Sequence, residues 1–226
     1  MRVMSTTHSD GNRASGGTGE DTDPEERWRL RVHDLQHRMR NTIAVIRSMA
    51  RRTGETAETV AEYAAHLDGR ISALSRVQST VAGSPSGDVD LAVILSDELR
   101  AHAASEDGQA LLDGPPVLLR PKPAETLALA LHELTSNAVK FGALSRSQGR
   151  LAVTWRVDEN LFRLDWVESG LPAPLAAPTR RGFGVEHLEK TLPYELGASV
   201  DLQFAPSGLV CRIVIPISAI GQSTPR

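Results

Sequence analysis

From Trp28 onward, apolar residues recur at alternating spacings of three and four: Val32, Leu35, Met39, Ile43, Ile46 and Met49 or Ala50. That rhythm predicts an amphipathic helix, with Thr53-Gly54 breaking it. A second helix is expected from Glu55 to Val81, with Val60, Tyr63 or Ala64, Leu67, Ile71, Leu74, Val77 or Gln78, and Val81 in heptad rhythm. The short break between them makes the pair an antiparallel hairpin. One hairpin with an apolar seam on each helix leaves surface uncovered, and pairing with a second hairpin into a four-helix bundle covers it. A homodimer is the expectation; folding of the hairpin back onto the rest of the chain is the alternative.

Gly83-Ser84-Pro85-Ser86-Gly87 is packed with turn residues and marks the expected domain boundary. Beyond it, a helix is expected from Val89 to about Ala104, then a short strand, Val117-Leu118-Leu119. Pro123 suits the first turn of the next helix, where its missing N–H costs nothing, and that helix includes the stretch Leu129–Ser145. Period-two alternation predicts strands at Leu151–Val157 and Leu161–Val167, with Asp158-Glu159-Asn160 turning between them. Gly182-Phe183-Gly184 opens a helix to about Leu192, and strands Ser199–Phe204 and Leu209–Ile215 follow. The order predicts an α+β chain: a helical hairpin over residues 27–83, then a domain over 88–217 with helices on one face of a largely antiparallel sheet. Residues 1–26 have almost nothing to bury and are expected to be a disordered tail, with a second flexible tail at 218–226.

Composition narrows the function classes. The chain has 226 residues, 40% hydrophobic and 4% aromatic, with a formal net charge of −3. Such a balance has no basic footprint for nucleic acid. No apolar run approaches the roughly 18 residues of a membrane helix, and the start lacks a signal-peptide segment. The one cysteine, Cys211, sits in an alternating apolar run and forms no internal disulfide. A cytoplasmic protein, without nucleic-acid or membrane partners, is the expectation.

Candidate chemistry gathers on the helix containing Leu129–Ser145. Leu127, Leu131, Leu134 and Ala138 form its apolar stripe, while Glu133, Asn137 and Lys140 share another face. A carboxylate, an amide oxygen and a cation together suit a phosphate and its metal ion. Mg²⁺ takes few protein oxygens and keeps waters and phosphates as its other ligands, so Asn137 is the candidate metal ligand. Glu133 is placed to order a water or accept a proton. On the first helix, His37 lies off the apolar stripe beside Arg40, Asn41 and Ala44, where an imidazole has the access a nucleophile needs. His33, one turn earlier, has no third ligand at a recognisable spacing and is read as a surface histidine.

Three of these stretches resemble the boxes of one kinase family. Residues 132–145, HELTSNAVKFGALS, resemble the N box of the HWE (HisKA_2-type) sensor histidine kinases, with Phe141 in place of the usual tyrosine. His37-Arg38-Met39-Arg40-Asn41 resembles the phosphoacceptor box of the same group. Trp166-Val167-Glu168-Ser169-Gly170 resembles its G1 box, although Leu171 stands where a second glycine is usual, and Gly182-Phe183-Gly184 resembles the G2 box. The resemblance implies an N-terminal helical hairpin for dimerisation and phosphotransfer, followed by a Bergerat (GHKL-type) ATPase α/β sandwich. It implies ATP and Mg²⁺ as cofactors: Glu168 and Gly170 at the base, Asn137 at the metal, Lys140, Arg181 (or Arg180), Gly182 and Gly184 at the phosphates, and residues 173–178 as a short lid. His37 then accepts the γ-phosphoryl group, with Glu133 assisting, and the group passes to an aspartate on a response regulator receiver domain. A sensor protein acting in trans is a further partner that the resemblance allows. Two rivals stand beside this reading: a non-catalytic adaptor or phosphotransfer protein that kept the fold without productive ATP binding, and an anti-sigma-type serine kinase of the same ATPase fold.

Overall fold

The computed structural model describes residues 24–102, 108–171, 182–205 and 208–223. The chain divides into two compact units, Met1–Val45 and Ile46–Arg226. The boundary falls inside the first helix, whereas the Gly83–Gly87 linker lies within the second unit. Of the tail expected over residues 1–26, residues 1–23 lie outside the described residues.

Helix α1 (Pro24–Thr56) runs 33 residues without the break expected at Thr53-Gly54. Thr53 is fully buried, and its hydroxyl donates to the Met49 carbonyl at 2.6 Å. Its polar group is thereby satisfied inside the helix, and one glycine costs a helix only about 1 kcal/mol. Helix α2 (Val60–Gly83) begins where the Thr59 side chain accepts from the Glu62 N–H, and the Glu62 carboxylate in turn accepts from the Glu58 N–H. These two side-chain caps set the start of the helix. Ala73, Leu74, Val77 and Val81 bury its apolar face, and the last two join the main core. Val60, counted in the same heptad rhythm, is instead exposed, because it sits in the first turn.

The sheet explains most of the remaining pattern. Strands β2 (Ala110–Asp113), β4 (Arg150–Asp158), β5 (Leu161–Ser169), β6 (Ser199–Ala205) and β7 (Gly208–Pro216) take the order β2-β4-β5-β7-β6. Only β2 pairs in parallel, with β4; the others are antiparallel. Register places Val153 opposite Trp166 and Trp166 opposite Cys211, with Trp155, Leu164 and Ile213 forming the next row. These residues lie on the buried face with Leu151, Phe162 and Ile215. On the other face Asp165 pairs with Arg156 and Arg212, and Arg212 reaches Asp201, so charge crosses four strands in solvent. Hydrophobic-in and polar-out alternation of this kind is what one covered sheet face requires.

Helix α4 (Pro121–Lys140) buries the expected stripe Leu127, Leu131, Leu134 and Ala138 and ends at Lys140, before the glycine that was expected to mark its end. A 3₁₀ turn, Ala143–Ser145, follows. Helix α3 (Leu91–Ala101) is capped by Asp90. The helix expected over 182–192 is longer and irregular: α5 (Phe183–Glu186), a π-turn at His187–Thr191, and α6 (Leu192–Leu196), closed by Gly197 at φ 61°.

Short strands β1 (Val89–Asp90), β3 (Val117–Leu119) and β8 (Gly221–Ser223) form a second antiparallel sheet. With α7 (Ile217–Ile220), β8 replaces the flexible tail expected from residue 218. Ile220 is fully buried in the main core, which anchors that end. Two helices followed by a mixed sheet with helices on its covered face agree with the α+β expectation.

Candidate functional site

The site is built on α4, whose polar residues emerge along one side as its apolar stripe turns into the core. Asn137 and Lys140 are solvent-exposed, while Glu133, one turn deeper, is buried. An amide and an ammonium open to solvent fit a hydrated metal ion and phosphate oxygens. Glu133 is in a different situation. Its Oε1 accepts from Arg70 Nε at 2.7 Å and its Oε2 from Arg70 Nη2 at 3.3 Å. Arg70 comes from α2, so α2 covers this stretch of α4. On the same helix, burial first, then the charges of Lys140 and Arg70, hold the His66 imidazole below its usual value.

Glu168 stands at the end of β5, nearly fully buried. Its Oε2 accepts from the Ala143 N–H at 2.8 Å, and its Oε1 from the Trp166 indole N–H at 3.1 Å. Gly142 makes the first contact possible: a Cβ there would overlap Glu168 Oε2 and come within 2.7 Å of Ala138 Cα. Burial pushes the Glu168 carboxyl above its usual range, against the two hydrogen bonds that favour its ionised form. A carboxylate has about four acceptor positions, so two remain after these donors. Gly170 follows at φ 77°. A side chain there would meet the Gln148 carbonyl at 2.5 Å as well as the left-handed backbone. Leu171 is buried.

Gly182 and Gly184 flank Phe183 at the start of α5. Gly184 lies flush on Glu133: a Cβ there would be 2.7 Å from Oε2 and 2.8 Å from the Glu133 Cβ. The structure thus sets Gly184, at the start of α5, against Glu133 on α4, the helix that also exposes Asn137 and Lys140, and sets Glu168 against Gly142. Arg180 and Arg181, with the lid expected over 173–178, lie outside the described residues. His37 belongs to the first unit. It is exposed, and its Nδ1 lies 3.3 Å from the Asn41 amide nitrogen one turn on.

Three residues gained roles that sequence reasoning did not assign. Trp166 lies in the core and also donates to Glu168. His132 hydrogen-bonds Glu98 Oε2 through Nδ1 at 3.0 Å. Its Nε2 faces Gly69, where a Cβ would be 2.9 Å away, which lets α2 approach closely. Arg70 was not singled out at all. Its place in the heptad gives no sign of a partner 63 residues ahead, and only the close approach at Gly69 marks that turn of α2.

Glu98, His102 and His132 bring three possible metal-ligand atoms within 4.8 Å of one another. The cluster is already satisfied by other means. Arg76 pairs with Glu98 Oε1, and His102 Nδ1–H donates to the Glu98 main-chain carbonyl at 3.0 Å. Burial alone would raise the Glu98 carboxyl, but the hydrogen bond and charge of His132 with the ion pair to Arg76 outweigh it and hold the group below its usual range. Glu98 is then ionised, both imidazole Nδ1 atoms direct protons at its oxygens, and a guanidinium occupies its free side. The arrangement pins α2, α3 and α4 together, with the facing Nδ1 atoms and both Glu98 carboxylate oxygens engaged by these bonds.

Residues 34–116 match the family described as HWE histidine kinase. The blue-light-activated histidine kinase of Brucella anthropi is 32% identical over 194 residues, covering 84% of this chain and 39% of that one. The protein of the same name from Brucella ovis is 30% identical over 189 residues, covering 82% and 38%. The chain therefore spans less than half the length of these relatives. Among solved structures, the histidine kinase domain of the Erythrobacter litoralis EL346 blue-light activated histidine kinase superposes with a TM-score of 0.59 at 21% identity, over 82% of this chain and 93% of that one. The helical segment followed by a mixed α/β sheet is thus the fold of a histidine kinase domain with a Bergerat-type ATPase sandwich. No helix among the described residues is long and apolar enough to cross a membrane.

Proposed function

The chain belongs to the HWE histidine kinase family, and from that premise we propose that it is an ATP-dependent protein-histidine kinase that phosphorylates itself on His37 and passes the phosphoryl group to an aspartate of a response regulator receiver domain. The observation that supports this reading is the contact of Gly184, at the start of α5, with Glu133 on the helix that exposes Asn137 and Lys140, in a chain whose His37 is exposed. Asn137 would hold Mg²⁺ and Lys140 the phosphates, with backbone N–H groups at Gly182 and Gly184 close by. Arg181 joins them by family resemblance. Glu168 keeps spare acceptor positions for the exocyclic amine of adenine, and Gly170 leaves the backbone free to approach the ring. The nucleotide supplies the γ-phosphoryl group; the protein's part is positioning and charge stabilisation.

His37 needs a free ring nitrogen to attack phosphorus. With the Asn41 amide turned so that its oxygen faces Nδ1–H, the neutral imidazole keeps its Nε2 lone pair free. Leu35, Met39 and Ile43 on the same helix are more than half exposed, an apolar stripe that suits pairing of two hairpins. That supports a homodimer.

Incubation with radiolabelled Mg-ATP should label the protein, and His37→Ala should reduce label on the protein by more than about 100-fold, as expected for loss of an obligatory nucleophile. The phosphate should be acid-labile and alkali-stable, which separates a phosphohistidine from the phosphoserine of an anti-sigma-type kinase. Equal labelling of both proteins would rule out His37 as acceptor. Absence of nucleotide binding at millimolar concentration would favour an adaptor.

A further inference from the structure

Arg70 is engaged on every side. It is 4% exposed. Two of its nitrogens hold the two oxygens of Glu133, and Nη1 donates to Thr53 Oγ1 at 2.6 Å. The face of its guanidinium lies over the Phe183 ring, 3.9 Å from the ring centre. One side chain on α2 thereby ties together the end of α1, the Glu133 turn of α4 and the first residue of α5. These last two are the segments between which the proposed function needs access for a nucleotide's phosphates. Gly184 closes the same gap from the far side, since not even a methyl group fits between it and Glu133. In this arrangement the Glu133 carboxylate is enclosed by a cation on one side and main chain on the other.

We propose that Arg70 is a positioning residue for Glu133: a clamp that fixes Glu133 against the start of α5 and withholds its carboxylate from Mg-ATP until α2 releases it. The inference rests on the proposed function, in which Glu133 stands on the helix that handles the nucleotide's metal and phosphates. A buried ion pair is a poor way to stabilise a helix contact, because desolvation offsets most of the attraction and apolar packing of the same volume does as well. Its value here is that it can exchange partners. A nucleotide that needs Glu133 free binds only the released fraction of molecules, so its apparent affinity is reduced by the clamp. Weakening the clamp should therefore tighten nucleotide binding, an effect that general damage to the fold does not produce.

Titration calorimetry of the full chain with Mg-AMPPNP tests this on the wild type, Thr53→Val and Arg70→Gln. Thr53→Val keeps the shape of the side chain and the Arg70–Glu133 pair but removes the acceptor of Nη1. It should bind about two- to tenfold more tightly than wild type, the effect of one lost hydrogen bond on the released fraction. Arg70→Gln should exceed it, and Arg70→Lys, which keeps a cation without the fork, should fall between. Should Arg70→Gln not fold, Thr53→Val decides the matter alone. Folded variants that bind no better than a wild type that does bind would overturn the clamp and leave the kinase reading intact. Binding by the variants alone would support the clamp, whereas no binding by any of the chains would overturn both.

Discussion

An imidazole that is buried and donates to a main-chain carbonyl is best kept neutral, and His187 is in that position, with Nε2–H on the Thr126 carbonyl at 3.0 Å. Burial lowers its affinity for a proton and outweighs the Thr126 carbonyl, Glu133 and Glu195, which act the other way. Its folded pKa lies below the ordinary 6.5, so its contribution to stability is fully present above that value and is lost as pH falls through the folded one. Melting temperature should accordingly fall as pH drops below 6.5, and His187→Gln should show a smaller fall, read by thermal unfolding across that range. A slope unchanged by the substitution would locate the sensitivity elsewhere. Glu168 has the opposite sign. Its raised pKa favours the protonated form, so that contribution is present below the ordinary carboxyl value and is lost as pH rises through the folded one. At this scale the sequence was legible in kind and not in pairing. The motif picked out Glu133, Asn137 and Glu168 as polar residues of interest, but nothing in the local pattern says that Glu133 meets Arg70, Glu168 meets Trp166, or His132 meets Glu98. Each of those contacts joins separate elements or depends on the pleat of a strand.

Helix α1 carries an apolar stripe that is exposed among the described residues: Trp28, Leu35, Met39 and Ile43. If two hairpins pair through it, Met39→Glu combined with Ile43→Glu should convert a dimer into a monomer in sedimentation at micromolar concentration. Each buried glutamate would face apolar neighbours without a partner, at several kcal/mol per charge. An unchanged mass would place the dimer contact on another surface or exclude it. The stripe itself was legible because a period near 3.6 survives over many residues. Strands β1, β2 and β8 were not, since two to four residues carry too little alternation to be seen and each is defined by a partner distant in sequence. The π-turn at His187–Thr191 escaped for a related reason. An extra residue in a helical turn leaves composition untouched, and here it sits next to the buried His187–Thr126 contact. The hairpin β4–β5, by contrast, matched its expected turn closely, because alternation and turn chemistry agree there.

At the scale of the whole molecule, the second helix belongs with the sheet domain. Gly69 admits His132, Arg70 meets Glu133, and Val77 and Val81 enter the main core. A fragment beginning at residue 88, where the linker suggested a boundary, would strip α2 away and leave Glu133 without its cation. Such a loss typically costs about 3–5 kcal/mol, before counting the apolar face. A fragment over 46–226 should therefore melt well above one over 88–226, as measured by calorimetry or circular dichroism; equal melting points would show that α2 adds nothing to the unit. The linker was legible as a turn, and turn composition marks where a chain bends without telling whether the two sides pack together. The bond between Trp166 and Glu168 has one more consequence, an optical one. The chain has three tryptophans: Trp28 is exposed on α1, and Trp155 donates to the Pro115 carbonyl. Among the described residues, only Trp166 has its indole N–H on a carboxylate. With the other two replaced by phenylalanine, its fluorescence would become a built-in gauge of the charge on Glu168, allowing the proposed base-recognition end of the site to be followed in solution without any attached dye.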